Sequence, residues 1–387
     1  MTDLKTIAAA NGIANDTAFG AVTPPLYLSS NFEFRKFEHA QDYEYSRTSN
    51  PTRDLLADTL AKLEGGAGAV VTSSGMAALN LILSLVKPGD RVIAPHDCYG
   101  GTYRLLRTLS DKGHFVVEFV DQQDKDAVAA TLKQRASLVM VETPSNPLMR
   151  VVDIKAIAMK AKLAKARLVV DNTFLSPALQ QPIALGADFV IHSTTKYLNG
   201  HSDVVGGAVI AANSRDVDEL KAWANLLGVT GSPFDSYLTL RGIRTLFPRI
   251  EQQQKTAAAV AEFLDRRAEV KAVHYPGLAN HPGRELALRQ QRGFGAMLSF
   301  ELEGGLDAVR GFVAALKVFT LAESLGGVES LIAHPTTMTH AGMSEDARSA
   351  AGINDSLLRV SIGLEAEEDL LSDLAFSLTA ASSNSAG

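Results

Sequence analysis

At 387 residues, 46% hydrophobic and 21% charged, the chain reads as a soluble globular protein too long for one small core, with room for two domains or more. Lys and Arg number 37 against 43 Asp and Glu, and the resulting net charge of −6 offers no basic field to nucleic acid or an anionic membrane. One cysteine, Cys98, excludes an intramolecular disulfide and a cysteine-rich metal site.

Residues 1–50 carry turn residues and aromatics without a sustained period, as in "AVTPPLYLSSNFEFRKFEHAQDYEYSRTSNPTR", and the aromatics favour an arm that docks on something. No run approaches a membrane-spanning length. The opening segment lacks the apolar core of a signal peptide, so a cytoplasmic location is expected. From about residue 52 the pattern alternates. "DLLADTLAKLEGG" predicts a helix stopped by glycines, and "GAVVT" a strand running into the helix of "SSGMAALNLILSLVKPGD". "DRVIAPH" and "FVVEFVD" predict strands around the helix "GTYRLLRTLSDKG". "ASLVMVETPS", "ARLVVDNT" and "ADFVIHSTT" are short apolar runs that each end in polar residues, with the helix "DIKAIAMKAKLAKA" between the first two. The fold class expected is α/β, a mostly parallel sheet covered by helices on both faces, with ligands at the carboxyl ends of its strands. Beyond this the texture changes. The long helix "FPRIEQQQKTAAAVAEFLDRRAEV", the strands "KAVHYPG", "GAMLSFELEGG" and "LLRVSIGLE", and the last helix "EEDLLSDLAFSLTAA" predict a smaller C-terminal α+β domain. The division expected is 1–50, 51–250 and 251–387.

Chemistry-bearing side chains gather where strands stop. Ser73, Ser74, Gly75 and Met76 follow "AVVT" and open a helix. That arrangement is either an ordinary capped helix or a cradle in which first-turn N–H groups meet an anion. It matches neither dinucleotide nor nucleoside triphosphate glycine motifs. Asp171 closes "LVVD", as a cap, a salt-bridge partner or a carboxylate for a cationic ligand atom. Lys196 stands past "DFVIHSTT", as a surface lysine or a reactive amine. Read together, an anion cradle, a carboxylate and an imine-forming amine meet the needs of pyridoxal phosphate. Ser193 and Thr195 could add hydroxyls to its phosphate, and Tyr99 could stack on its ring. His192 and His201 lack a carboxylate or cysteine at ligand spacing, so no metal site is expected.

"EYSRTSNPTRD", "SSGMAA", "DCYGGTYR", "ETPSNP", "VVDNTF", "HSTTKYLNGHSD", "GFGAMLSFEL" and "LAESLGGVESL" occur in order. Together they resemble the Cys/Met-metabolism family of pyridoxal phosphate enzymes, the trans-sulfuration enzymes, nearly end to end. Within the family the bacterial γ-synthases are most similar, then the γ-lyases. The resemblance implies an aspartate-aminotransferase-like fold of type I, in which residues 51–250 bind the cofactor. It implies that Lys196 carries the cofactor and shuttles protons, Asp171 pairs with the ring nitrogen, and Tyr99 stacks on the ring and assists proton transfer. Gly75, Met76, Ser193 and Thr195 would hold the phosphate. Tyr45 and Arg47 would reach the phosphate of a neighbouring subunit, in a homotetramer built as a dimer of dimers with shared active sites. Glu323, Ser324 and Arg359 would face the substrate, with Arg359 clamping the α-carboxylate, and Asn146 would approach the substrate carboxylate or the ring hydroxyl. The activity implied joins an O-succinyl- or O-acetylhomoserine to L-cysteine, giving L-cystathionine for methionine biosynthesis. Cleavage of cystathionine by γ-elimination and sulfhydrylation of the acylhomoserine are the alternatives. Glu323 resembles the acidic residue of γ-acting members and counts against a β-lyase. Thr48 departs from the pattern, because succinyl-using members tend to carry a basic residue there.

Overall fold

A computed structural model describes residues 2–384. The chain divides into two compact units, residues 1–87 with 167–247 and residues 88–166 with 248–387.

The first unit holds β1 (Gly68–Thr72), β5 (Arg167–Asp171), β6 (Phe189–His192) and β7 (Gly207–Ala211). They lie in the order β1-β7-β6-β5. β5 and β6 are parallel, with Asp171 opposite Ile191. β7 runs antiparallel to both β1 and β6. That reversal is not legible in the alternating pattern. Its physical reason is the connection: residues 196–206 fold as turns, without the helix that a parallel crossover needs. β6 and β7 are buried along their whole length, and β5 through its middle, as expected of strands covered on both faces. The helix Pro51–Glu64 opens on Asn50, whose side chain accepts from the Thr52 and Arg53 N–H groups, and closes on Gly65 in the left-handed conformation.

The second unit holds β2 (Arg91–Pro95), β3 (Val116–Val120) and β4 (Leu138–Glu142), all parallel, in the order β4-β2-β3. Its other sheet comprises β8 (Val270–His274), β9 (Met297–Leu302), β10 (Thr320–Leu321), β11 (Leu331–Ala333) and β12 (Leu357–Ser361). The order is β10-β11-β12-β9-β8, antiparallel except between β10 and β11. Phe300 and Phe312 meet edge to face at 5.6 Å in its core. The sequence pattern anticipates β8, β9 and β12. β10 and β11, two and three residues long, are too short to show a period.

Behind the ends of β5 and β6 lies a buried polar network. His192 Nε2 donates to Glu64 Oε1 at 2.6 Å, and Asn172 Nδ2 donates to the same oxygen at 2.8 Å. Asn172 and Gln180 exchange two further bonds. All four residues are buried. Replacing Glu64 by Ala strips two buried donors of their acceptor, so the urea-unfolding midpoint should fall by the equivalent of about 3 kcal/mol. Glu64→Gln, which keeps an acceptor oxygen, should lose less. A Glu64→Ala protein unfolding at the wild-type midpoint would show that the network does not support these strand ends.

Candidate active site

In the first unit the ends of β1, β5 and β6 and the start of β7 share one edge, because Thr72 pairs with Gly207, His192 with Ala208 and Asp171 with Ile191. After β1, Ser73 and Ser74 turn the chain into the helix Gly75–Leu83, and Ser74 Oγ accepts from the Ala77 N–H at 3.0 Å. The N–H groups of that first turn, at Gly75 and Met76, have no acceptor within the helix. The turn is tightly flanked. A methyl group on Gly75 would lie 2.8 Å from Ser193 Cβ, and one on Gly207 would overlap the Ser74 carbonyl. The two glycines therefore let backbone and Ser193 crowd around the helix N-terminus.

Ser193 is bound through its N–H to Thr173 Oγ1 at 3.0 Å. Thr195 Oγ1 donates to the Gly206 carbonyl at 3.2 Å and accepts from the Gly206 N–H at 2.9 Å, so its hydroxyl is engaged with its own loop. Lys196, half-buried, sits in a turn in which its carbonyl accepts from the Gly200 N–H at 2.7 Å. Asp171 Oδ1 accepts from the Thr173 N–H at 3.0 Å. Burial pushes the Asp171 carboxyl upward, against the hydrogen bonds from Thr173 and the nearby His192 ring. It forms no ion pair among the described residues.

The second unit assembles another cluster. Glu142, which closes β4, is buried, and it accepts from the Tyr99 N–H at 3.0 Å with one oxygen and from the Asn146 N–H at 2.9 Å with the other. Asn146 Oδ1 accepts from one terminal nitrogen of Arg359 at 3.1 Å. The other terminal nitrogen donates to the Ser324 carbonyl at 2.9 Å. Ser324 adopts φ of +108°, a strained backbone for a residue with a side chain. Arg359 and Asn146 are both buried, while Tyr99 is 39% exposed. Glu323, beside Ser324, is exposed.

The structure thus brings Gly75 to Ser193 and links Tyr99, Asn146, Arg359 and Ser324 through short bonds. Tyr45 and Arg47 have their described contacts elsewhere in the first unit. Tyr45 is exposed, and Arg47 lies over its ring at 5.7 Å while donating to the Asn225 carbonyl and Oδ1 at 2.8 and 2.7 Å. Sequence reasoning misses Thr173, Glu142 and His340, whose Nε2 donates to the Asn146 carbonyl at 3.1 Å. Glu142 has the same signal as Asp171, a carboxylate at the last position of an apolar run. His340 lies in a polar loop and has none.

The family model described as Cys/Met metabolism PLP-dependent enzyme matches residues 5–379. The chain is 56% identical over 370 residues to a cystathionine γ-synthase of Escherichia coli (strain K12), covering 95% of this chain and 96% of that one. It is 47% identical over 374 residues to a cystathionine β-lyase of Lactococcus lactis subsp. cremoris, covering 97% and 98%. Among solved structures, cystathionine γ-synthase from Xanthomonas oryzae pv. oryzae in complex with cystathionine superposes with a TM-score of 0.98 at 58% identity, over 99% of this chain and 100% of that one.

The raised Asp171 carboxyl has a consequence in the cofactor-free protein. An acid whose folded pKa lies above its unfolded value weakens the fold once the pH is high enough to ionise it, and has no such effect below about pH 4. Cofactor-free Asp171→Asn should therefore melt higher than cofactor-free wild type at pH 8, and the gap should close at pH 4. Equal melting temperatures at pH 8 would show that the fold carries no such penalty.

Proposed function

The chain belongs to the Cys/Met metabolism family of pyridoxal phosphate-dependent enzymes, and from that premise we propose that it carries out a γ-replacement in the cytoplasm, as a step of methionine biosynthesis. An O-acetyl- or O-succinyl-L-homoserine loses its acyloxy group from Cγ, and the sulfur of L-cysteine takes its place. The C–O bond breaks, a C–S bond forms, the thiol proton is released and the carboxylate leaves. Kinship with γ-synthases over nearly the whole chain carries this reading.

The residues present fit the cofactor. The desolvated Asp171 carboxylate suits a protonated ring nitrogen, and the crowding of Gly75, Gly207 and Ser193 around a helix N-terminus suits a phosphate. When bound, pyridoxal phosphate supplies an electron sink that lets protons leave Cα and then Cβ of an amino acid. Lys196 Nζ is the amine that would hold the cofactor's aldehyde, and as a free amine it would take and return the Cα proton. Asp171 keeps the ring nitrogen protonated. The N–H groups of Gly75 and Met76 and the hydroxyl of Ser193 would receive the phosphate, joined by the Thr195 hydroxyl once it turns from the Gly206 carbonyl. Tyr99 covers the ring face and assists proton transfer, while Arg359 orients the α-carboxylate with its planar fork, helped by the Asn146 amide and Ser324. Glu323 would face the substrate, as the acidic residue of γ-acting members.

The division of labour we propose assigns cofactor binding to residues 51–250, a C-terminal α+β domain to residues 251–387, and contact with a neighbouring subunit to residues 1–50. The arm exposes Phe19 by 95%, Phe37 by 88% and Leu28 by 66%, apolar area suited to burial in a homotetramer built as a dimer of dimers. Tyr45 and Arg47 would then serve the neighbour's phosphate.

Purified protein given either acylhomoserine and cysteine should form cystathionine, and comparative rates identify the acyl group. The reading is overturned if none forms while cystathionine itself is cleaved to ketobutyrate, the γ-lyase outcome, or if only inorganic sulfide is accepted, the sulfhydrylase outcome. An absorbance band near about 420 nm, where a pyridoxal imine absorbs, should be present in the wild type and absent from Lys196→Ala. Mixing inactive Lys196→Ala with inactive Arg47→Ala subunits should restore part of the activity. Complete failure to do so would refute sharing of sites between subunits.

A further inference from the structure

His340 is fully buried, and both of its ring nitrogens are committed. Nε2 lies 3.1 Å from the Asn146 carbonyl and Nδ1 lies 2.8 Å from Thr339 Oγ1. A carbonyl can only accept, so the proton sits on Nε2 and the Thr339 hydroxyl donates to Nδ1. Burial, and then the charge of Arg359, hold the imidazole down to a pKa of about 4, so it is neutral at physiological pH. It adds no positive charge beside the guanidinium.

Asn146 is consequently gripped at three atoms. Glu142 takes its N–H, His340 donates to its carbonyl, and Arg359 donates to its Oδ1. Because Arg359 can only donate, the amide is fixed with its oxygen toward the guanidinium. The backbone of Asn146 therefore sets where one arm of the Arg359 fork lies. The Ser324 carbonyl sets the other.

We infer that His340 is a positioning residue for carboxylate recognition, holding the Asn146 backbone so that the Arg359 fork meets an α-carboxylate in the bidentate orientation. The role is distinct from touching substrate or cofactor. It rests on the reading of Arg359 as the carboxylate clamp.

The test compares His340→Phe, which keeps bulk and loses the donor, with His340→Gln, whose terminal NH2 can reach the place of Nε2. Binding of L-2-aminobutyrate, which has a carboxylate and no γ-leaving group, is measured by calorimetry on the cofactor-loaded protein alongside propylamine, its counterpart without the carboxylate. His340→Phe should bind 2-aminobutyrate about 5- to 10-fold more weakly, the loss expected for one misdirected hydrogen-bonded contact, and propylamine as wild type does. KM for the acylhomoserine should rise by a similar factor, with kcat within about threefold. His340→Gln should recover most of both. Cofactor content should stay unchanged throughout. Unaltered 2-aminobutyrate binding in His340→Phe overturns the inference, as does equal weakening for both ligands, or a Gln variant no better than Phe. Should His340→Phe not accumulate as folded protein, His340→Asn, whose shorter amide stops short of Asn146, is held to the same outcomes. Arg359→Ala separates the two ideas. If it binds 2-aminobutyrate like wild type, the clamp reading fails. If it weakens binding while His340→Phe does not, only the role of His340 fails.

Discussion

The parallel pairing of β5 with β6, with Asp171 opposite Ile191, is the constraint on which the first cluster depends. Side chains alternate faces along a strand, so a slip of one residue would turn Asp171 to the other side of the sheet and break the bond between Thr173 and the Ser193 N–H. The register is guarded from behind. Asn172 and His192 both reach Glu64, and a buried carboxylate with two donors tolerates little displacement of either strand. In front, Gly75 and Gly207 allow the loop after β1 to close against the same edge. Polar residues accumulate there because a strand's last groups leave the ladder and need other partners.

The two clusters treat charge in different ways. Burial makes the ionised form of Asp171 unfavourable until a cation arrives, which makes it receptive to a protonated ligand atom. Arg359 donates to two neutral oxygens, of Ser324 and Asn146, and these bonds fix the plane of its fork. Glu142 brings a carboxyl group to the second cluster, but both of the bonds described for it come from backbone N–H groups, of Tyr99 and Asn146. It thereby acts as a bracket between two loops.

What the sequence makes legible follows from this physics. Asp171, Lys196 and the Ser73–Met76 turn stand out because an apolar period stops abruptly at each, and a mostly parallel sheet turns such stops into one edge. Arg359 gives no local signal. It lies within the buried strand β12, and its partner Asn146 is 213 positions away, so only resemblance to a family singles it out. Glu142 was within reach, since it ends a run as Asp171 does. His340 was not, because its role lies in which atoms it meets rather than in its type or spacing. The direction of β7 was hidden for a related reason: it depends on the compact turns of residues 196–206, whose Gly, Asn and Ser read as a loop of any path.

The arm shows the same distinction between type and partner. Its backbone is tied down by polar bonds near its base, Tyr27 to Thr52, Asn50 to Tyr27, and Arg244 to the carbonyls of Ala8 and Asn11. Phe19, Leu28 and Phe37 nevertheless stand largely in solvent. A tail that folded for its own stability would do the reverse, burying Phe19 and Phe37 and leaving polar groups to water. Fixing a backbone while exposing aromatics carries an entropic cost without the gain of burial, which is the physical ground for the neighbouring-subunit contact proposed for the arm. Arg47 strengthens the point. Its stacking on Tyr45 and its paired bonds to Asn225 fix an exposed guanidinium three residues before Asn50.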